Sequence, residues 1–276
     1  MKLSAVIGIC TAAVALTASS CNNEEKKESE TSTPAHGIKQ EMVSYSADGV
    51  TMNGYVAYDS ATSEKRPVVL VVHEWWGQND YSRGRARQLA EMGYLAMAVD
   101  MYGNGKTADN PDSAGALAGP FYKDPAMAKR RFDAALEKVK SLPQAGGRIA
   151  AIGYCFGGGM VLTMAKLGDD LAGVVSFHGN LNVVPARKEL LKANVLVCHG
   201  ADDMFVPQAE VDAFKKQMDS IGAAYTFKSY PGAVHAFSNP NATAMGEKFK
   251  IPIAYNAAAD TASWNDMKTF FAEIFK

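Results

Sequence analysis

Cysteine is scarce in this chain: four residues among 276, at positions 10, 21, 155 and 198, with no Cys-x-x-Cys pair. That scarcity excludes a disulfide-stapled scaffold and a dithiol redox motif. An excess of one charge is also missing. The formal net charge is −1, so no basic surface favours phosphate backbones and nucleic acid is not an expected partner. Internal repeats are absent, which excludes solenoids and propellers. Beyond residue 20 no apolar run is long enough to span a bilayer. The chain is nonetheless 47% hydrophobic, enough to bury a sizeable core, and its length suits a single α/β domain.

The N-terminus has a different composition. Met1-Lys2 is positive, Leu3 to Leu16 is almost wholly apolar, and Thr17 to Ser20 is small and polar. This order predicts a secretory signal over residues 1–20. Asn22 to Thr33 contains only Asn, Glu, Lys, Ser and Thr. Such a stretch has too little apolar surface to offset its ordering entropy, so residues 21–38 are expected to form a flexible tether. Ala18-Ser19-Ser20-Cys21 resembles a bacterial lipobox, with Ala18 where Leu is usual, and implies lipidation of Cys21. The expectation is an exported protein, anchored at a periplasmic or cell-surface membrane through Cys21 and in no other way. Cys155 and Cys198 then remain, and a disulfide between them stays open. Cys198 ends the apolar run from Val195 and reads as a buried thiol, whereas Cys155 sits in a glycine-rich turn.

Residues 39–276 alternate between strand and helix patterns. Met42 to Ala47 and Thr51 to Tyr58 flank Asp48-Gly49 and predict a hairpin. Strands are predicted at Pro67–Val72, Tyr94–Val99, Ile149–Tyr154, Val174–Phe177, Val195–Cys198 and Tyr225–Tyr230. Helices are predicted at Ser82–Met92, Pro125–Ser141, Gly157–Leu167, Ala209–Ile221 and Asp260–Phe275. The glycines and prolines from Gly103 to Pro120 predict a long loop flanking a pocket. The implied fold is single-domain α/β: a mostly parallel sheet with helices on both faces and an N-terminal antiparallel hairpin.

Gly153-Tyr154-Cys155-Phe156-Gly157 joins a strand to a helix and has the Gly-x-nucleophile-x-Gly form of a nucleophile elbow, with Cys for Ser. Side chains two before and two after the nucleophile would strike neighbouring backbone. The helix N-terminus favours a thiolate, and the Phe156 N–H is placed to donate to an oxyanion. A dinucleotide-binding turn is excluded in detail, because Gly-x-Gly-x-x-Gly would require Gly at Cys155 or at Leu162. A plain glycine-rich packing turn competes until the downstream residues are considered. Asp202 and Asp203 follow a late strand, where an acid orienting a histidine is expected. The pattern Gly200-x-x-Asp203-x-x-Val206-Pro207 favours Asp203. His235 follows the last strand, and the order Cys155, Asp203, His235 is that of α/β-hydrolases. His73, His178 and His199 lack that placement. The Trp75 N–H, after the strand ending at Val72, is expected as the second oxyanion donor. Position alone leaves Glu74 either a solvated loop carboxylate or an acid at the pocket mouth.

Taken together, Glu74-Trp75-Trp76-Gly77, Gly153-x-Cys155-x-Gly157-Gly158, Asp203-x-x-x-Pro207 and Gly232-x-x-His235-x-Phe237 resemble the dienelactone hydrolase family, from about Gln40 to the C-terminus. The resemblance implies an α/β-hydrolase without cofactor or metal, cleaving a small-molecule ester or lactone through an acyl-cysteine. It also implies that Glu74 helps deprotonate the thiol while His235 activates water. Trp76, Phe237 and Asn239 are expected in the substrate pocket. Family members carry Arg after the Ser of His-x-Phe-Ser, to grip a substrate carboxylate; here Ser238-Asn239 stands instead. Asn lacks the charged fork, which points towards a neutral substrate. Within hydrolases, a carboxylesterase or acylpeptide-type activity is the alternative. A non-catalytic surface binding protein on this scaffold would have no use for Cys155, Asp203, His235 and Glu74 together.

Overall fold

Continuous apolar strands need cover on both faces, and the chain supplies it by alternating strand and helix. The computed structural model describes residues 37–276. The hairpin is β1 (Ile38–Ala47) and β2 (Val50–Asp59), joined by Asp48 and Gly49 at φ 53° and 72°, the left-handed turn that matches strand twist. Next come β3 (Arg66–Val72), α1 (Asp80–Glu91), β4 (Leu95–Val99), α2 (Pro111–Lys123), α3 (Pro125–Lys140), β5 (Ala145–Tyr154) and α4 (Phe156–Lys166). The chain ends with β6 (Gly173–Phe177), β7 (Asn194–Gly200), α5 (Gln208–Ser220), β8 (Tyr225–Tyr230), α6 (Ala242–Phe249) and α7 (Ala257–Ile274).

The eight strands lie in the order β1-β2-β4-β3-β5-β6-β7-β8, with β3 to β8 parallel and the hairpin antiparallel. Side chains of β3 divide by parity. Val68, Leu70 and Val72 share one buried cluster with Phe132, Met160 and Phe214, while Val69 and Val71 share the other with Leu89, Met267 and Phe271. The run Val68–Val72 is apolar throughout because it has two buried faces. The described residues form one α/β unit, as expected. None of their helices is long and apolar enough to cross a membrane.

Two helices differ from the sequence expectation. The stretch predicted as a long loop contains α2, despite Gly115, Gly119 and Pro120. Asn110 caps its N-terminus, accepting from the Ser113 N–H at 2.9 Å, and Pro111 occupies the first turn, where its missing N–H costs nothing. The short α6, eight residues long, precedes the predicted final helix and was not expected. The predicted signal, Cys21 and nearly all of the tether lie outside the described residues. The last two tether positions are described and belong to the sheet region: Ile38 opens β1, and Gly37 accepts from the Ser60 N–H at 2.6 Å.

The chain leaves β3 for β4 on one side and returns to β5 on the other. Loops after β3 and β5 therefore diverge at a topological switch point, where open α/β sheets form their crevice. Val72 and Tyr154 end those two strands, and the residues that follow them are His73-Glu74-Trp75 and Cys155-Phe156.

Candidate active site

Cys155 is the first residue past β5, at φ 52° and ψ −114°, a backbone conformation that strains any side chain. Two acceptors hold its N–H: the Phe177 carbonyl at 3.0 Å and the His178 Nδ1 at 3.1 Å. A Cβ on Gly153 would lie 2.1 Å from the Gly157 carbonyl oxygen, and one on Gly157 would lie 2.3 Å from that of Val72. Both glycines of the elbow motif are thus required by close backbone approach. The thiol is half-buried and free, as is the fully buried Cys198, and no disulfide joins them.

Asp203 and His235 converge on Cys155 from the ends of β7 and β8. The His235 Nδ1–H donates to Asp203 Oδ2 at 2.9 Å. Asp203 Oδ1 accepts from the backbone N–H groups of Phe205 at 2.8 Å and Val206 at 3.3 Å, so the carboxylate is bound on both oxygens. Asp202 is exposed and only its backbone is engaged, with Ala233. Geometry selects Asp203. The imidazole of His235 lines the same cavity as Cys155. Burial opposes charge on this imidazole, but Cys155 and the Asp203 hydrogen bond overcome it and raise its pKa to about 10.

Glu74 is 2% exposed and lines the same cavity. Burial raises its pKa to about 7, against the lowering effects of the Asn239 hydrogen bond and of His235 and Arg85. The Asn239 Nδ2–H donates to Glu74 Oε2 at 2.6 Å. The loop that carries Glu74 is fixed by neutral groups. His73, buried and lowered to about 4, sets its Nδ1 2.5 Å from the Glu74 carbonyl, and the Tyr102 hydroxyl donates to the Trp75 carbonyl at 2.9 Å. Phe156 stacks on His73, which ties this loop to the elbow. Among the described residues, the backbone N–H groups of Trp75 and Phe156 donate to no other group.

A cavity of about 330 Å³ opens over Cys155, with Trp75, Trp76, Phe205 and Ile253 among its apolar walls and the Tyr122–Asn180 pair as a neutral polar patch. No Lys or Arg lines it. Lys129 pairs with Asp133 and Asp169, Arg130 with Asp48, and Arg131 with the carbonyls of Met101 and Tyr102. Trp76 lines the cavity. Phe237 does not: the chain turns at Ala236, φ 59°, and sends Phe237 fully buried into the core against Tyr230 and His178. Asn239 is also absent from the lining, because its amide is committed to Glu74.

His178, set aside on sequence, supports the elbow from below. Its Nδ1 accepts from the Cys155 N–H and its Nε2 faces Ser238 Oγ at 2.8 Å, which meets the Tyr81 hydroxyl at 2.8 Å. Burial and the nearby charges of His235 and Arg85 keep it neutral, its pKa well below the ordinary value, as an Nδ1 acceptor requires. Arg85, paired with Asp260, donates to the Ser238 carbonyl at 2.8 Å and fixes the far end of this chain of bonds. The available signal was positional: His178 directly follows β6 at the same sheet edge. Among the described residues no group of His, Cys, Asp and Glu is placed to hold a metal ion.

Residues 52–275 match the model of the Dienelactone hydrolase family. A protein from Aquifex aeolicus, provisionally named a carboxymethylenebutenolidase, is 31% identical over 72% of this chain and 87% of its own. Protein usf of Aquifex pyrophilus is 29% identical over 84% and 98% respectively. The crystal structure of a dienelactone hydrolase-like promiscuous phosphotriesterase from metagenomic libraries superposes with TM-score 0.81. It is 33% identical and covers 86% of this chain and 99% of that one.

The strain at residue 155 makes a separable prediction. Glycine accepts φ 52° without cost, so Cys155→Gly should be more stable than Cys155→Ala by about 1 kcal/mol, with neither active. Urea unfolding of the two variants measures the difference. Equal stability, or a more stable alanine variant, would show that the elbow stores no strain.

Proposed function

The chain belongs to the dienelactone hydrolase family and is a hydrolase of esters or lactones, and from that premise we propose that it acts through an acyl-cysteine intermediate on Cys155. The observation that supports this reading is the His235–Asp203 hydrogen bond behind a cavity that Cys155 and His235 both line. The Cys155 thiolate attacks the ester carbonyl, and the Trp75 and Phe156 N–H groups receive the oxyanion. His235 in its protonated form gives its proton to the departing alkoxide. Once the sulfur is acylated its negative charge is gone, and with it the strongest influence raising His235. The imidazole then turns into a base and takes a proton from the water that cleaves the thioester. Asp203 holds the Nδ1–H tautomer throughout. Glu74 is the accessory base: near pH 7 its carboxylate can accept the thiol proton and commit the pair to the reactive thiolate.

Iodoacetamide should label Cys155 well before Cys198, which is fully buried and whose burial pushes its thiol up to about 12. Turnover of p-nitrophenyl acetate should be lost in step with labelling. Retention of activity with Cys155 alkylated would rule out this nucleophile.

A cavity lined by Glu74 and by no lysine or arginine favours a neutral substrate. A carboxylate would lose its hydration with no lysine or arginine on the wall to meet it and with Glu74 nearby, at a cost of several kcal/mol. A neutral p-nitrophenyl ester should therefore exceed its carboxylate-bearing analogue in kcat/KM by about 100-fold. A preference for the anion would contradict the reading. The likeness to a promiscuous phosphotriesterase favours one further substrate type, because a neutral triester meets the same walls; paraoxon belongs in the same panel.

Asn239 is assigned the task of holding Glu74 ionised. A hydrogen bond to the charged form lowers a carboxyl pKa, so its removal must raise Glu74 further above about 7. Asn239→Leu should shift the acidic limb of the kcat/KM profile to higher pH, costing roughly three- to tenfold more activity at pH 6 than at pH 8. An unmoved limb would mean that Glu74 does not take part.

A further inference from the structure

One wall of the cavity consists of residues that neither the fold nor the chemistry above requires. Gly115 and Gly119 lie one turn apart on α2, Gly115 at the mouth and Gly119 deeper, and both line the cavity over Cys155. Neither has the left-handed backbone that calls for glycine. A Cβ at either position would meet no protein atom within 4 Å, in contrast to Gly153 and Gly157. Glycine inside a helix is among the least favourable residues, since it loses the most chain entropy on folding and adds no packing. The helix thus keeps two destabilising residues where the protein itself leaves open space. A side chain there would meet only what enters the cavity.

The same cavity presents polar atoms without protein partners. Glu74, 2% exposed, has Oε2 taken by Asn239 while Oε1 bonds to none of the described groups. The Asn180 amide is engaged through Oδ1 by the Tyr122 hydroxyl at 2.9 Å, and its Nδ2 has no partner among the described residues. The space bounded by α2 is therefore lined for an occupant rather than for packing.

We propose that Gly115 and Gly119 set the acyl-group size this enzyme accepts, and that its preferred substrates are neutral esters or lactones with a flat, bulky apolar acyl group. That group lies along the bare strip of α2, in the cavity shared with Trp75 and Trp76. The proposal rests on the reading of Cys155 as nucleophile. It makes Gly115 and Gly119 specificity-determining residues with no part in the bond-making steps.

The test compares kcat/KM for p-nitrophenyl benzoate and p-nitrophenyl acetate, which share a leaving group and differ only in acyl bulk. Gly115→Leu and Gly119→Leu should lower the benzoate-to-acetate ratio by about tenfold or more. Gly115→Ala should lower it less while raising Tm by about 2–4 °C, because the helix gains a better former. Gly119 precedes Pro120, whose ring crowds the preceding residue, so the stability measurement is made at Gly115. Gly84→Ala, in α1 and outside the cavity, should raise Tm without moving the ratio. A ratio unchanged within twofold in the leucine variants, or in Gly115→Ala if those do not fold, overturns the proposal. A fall in Tm for Gly115→Ala also overturns it, since the fold would then need the glycine. Cys155→Ala separates the two readings. If it is inert and the ratios do not move, the α2 assignment alone fails; if it keeps wild-type turnover, the nucleophile assignment fails first.

Discussion

The first turn of α4 rests directly on the last carbonyls of β3, and the site depends on that approach. A Cβ on Gly157 would lie 2.3 Å from the Val72 oxygen and 2.6 Å from that of His73, well inside any tolerable contact. With no side chain in the way, the helix start, the strained residue before it and the β3 loop stack against one another. Cys155, the Phe156 N–H and the Trp75 N–H are thereby brought together by backbone alone, before any side-chain hydrogen bond is counted. The same device recurs along the sheet edge. A Cβ on Gly200 would lie 2.6 Å from the Ala233 oxygen, so the end of β7 can accept the loop that delivers His235. Parallel strands place all these loops on one edge, and the switch between β3 and β5 opens the crevice there.

Within that frame the charges are few and the supports are mostly neutral. His73 and His178 are buried imidazoles whose pKa values are pushed down, and each spends its ring nitrogens on backbone or hydroxyl groups. Supports of this kind orient the loops without adding charge that would compete with the reacting groups. The charged supports, Arg85 and Asp260, lie behind Ser238 and neutralise one another. The ionisable groups left at the cavity are Cys155, His235 with Asp203 behind it, and the carboxyl of Glu74. In a low-dielectric setting those few interactions carry more energy than the same groups would in water.

Much of this was legible in the sequence because the decisive signals are local. Gly153-x-Cys155-x-Gly157 declares a strand, a forbidden Cβ and a helix within five residues. Asp203 follows an apolar strand and His235 an alternating aromatic one, each recognisable by itself. Chain order then assigns them to one sheet edge without any structure. The parts that were not legible act at a distance. Nothing near His178 announces that its ring meets the backbone of residue 155, since that contact depends on how β5 and β6 pair. Phe237 and Asn239 were expected in the pocket because the family resemblance places the residues after His235 there. The left-handed turn at Ala236 redirects both, one into the core and the other towards Glu74. The helix α2 was hidden by residues that ordinarily break helices. Its Asn110 cap and Pro111 start were local signals, outweighed in the reading by Gly115, Gly119 and Pro120.

That last substitution of role, at Asn239, bears on the chemistry itself. The family that this chain resembles carries Arg at the corresponding position. An arginine donating to a buried carboxylate would lower its pKa by roughly 1–3 units, because the opposite charge adds to the hydrogen bond. Glu74 would then sit well below neutrality, ionised but a weak base. The Asn239 amide gives the hydrogen bond without the charge, and burial leaves the carboxyl at about 7. A base is most effective when its pKa lies near the working pH, where it is largely deprotonated yet still draws a proton strongly. Asn239 in that position therefore has two effects that run together. It offers no cation to a substrate carboxylate, and it leaves Glu74 at about 7, the value that the accessory-base role proposed for it would use. A cavity that has given up charge recognition and a carboxyl tuned by a neutral amide are consequences of the same residue.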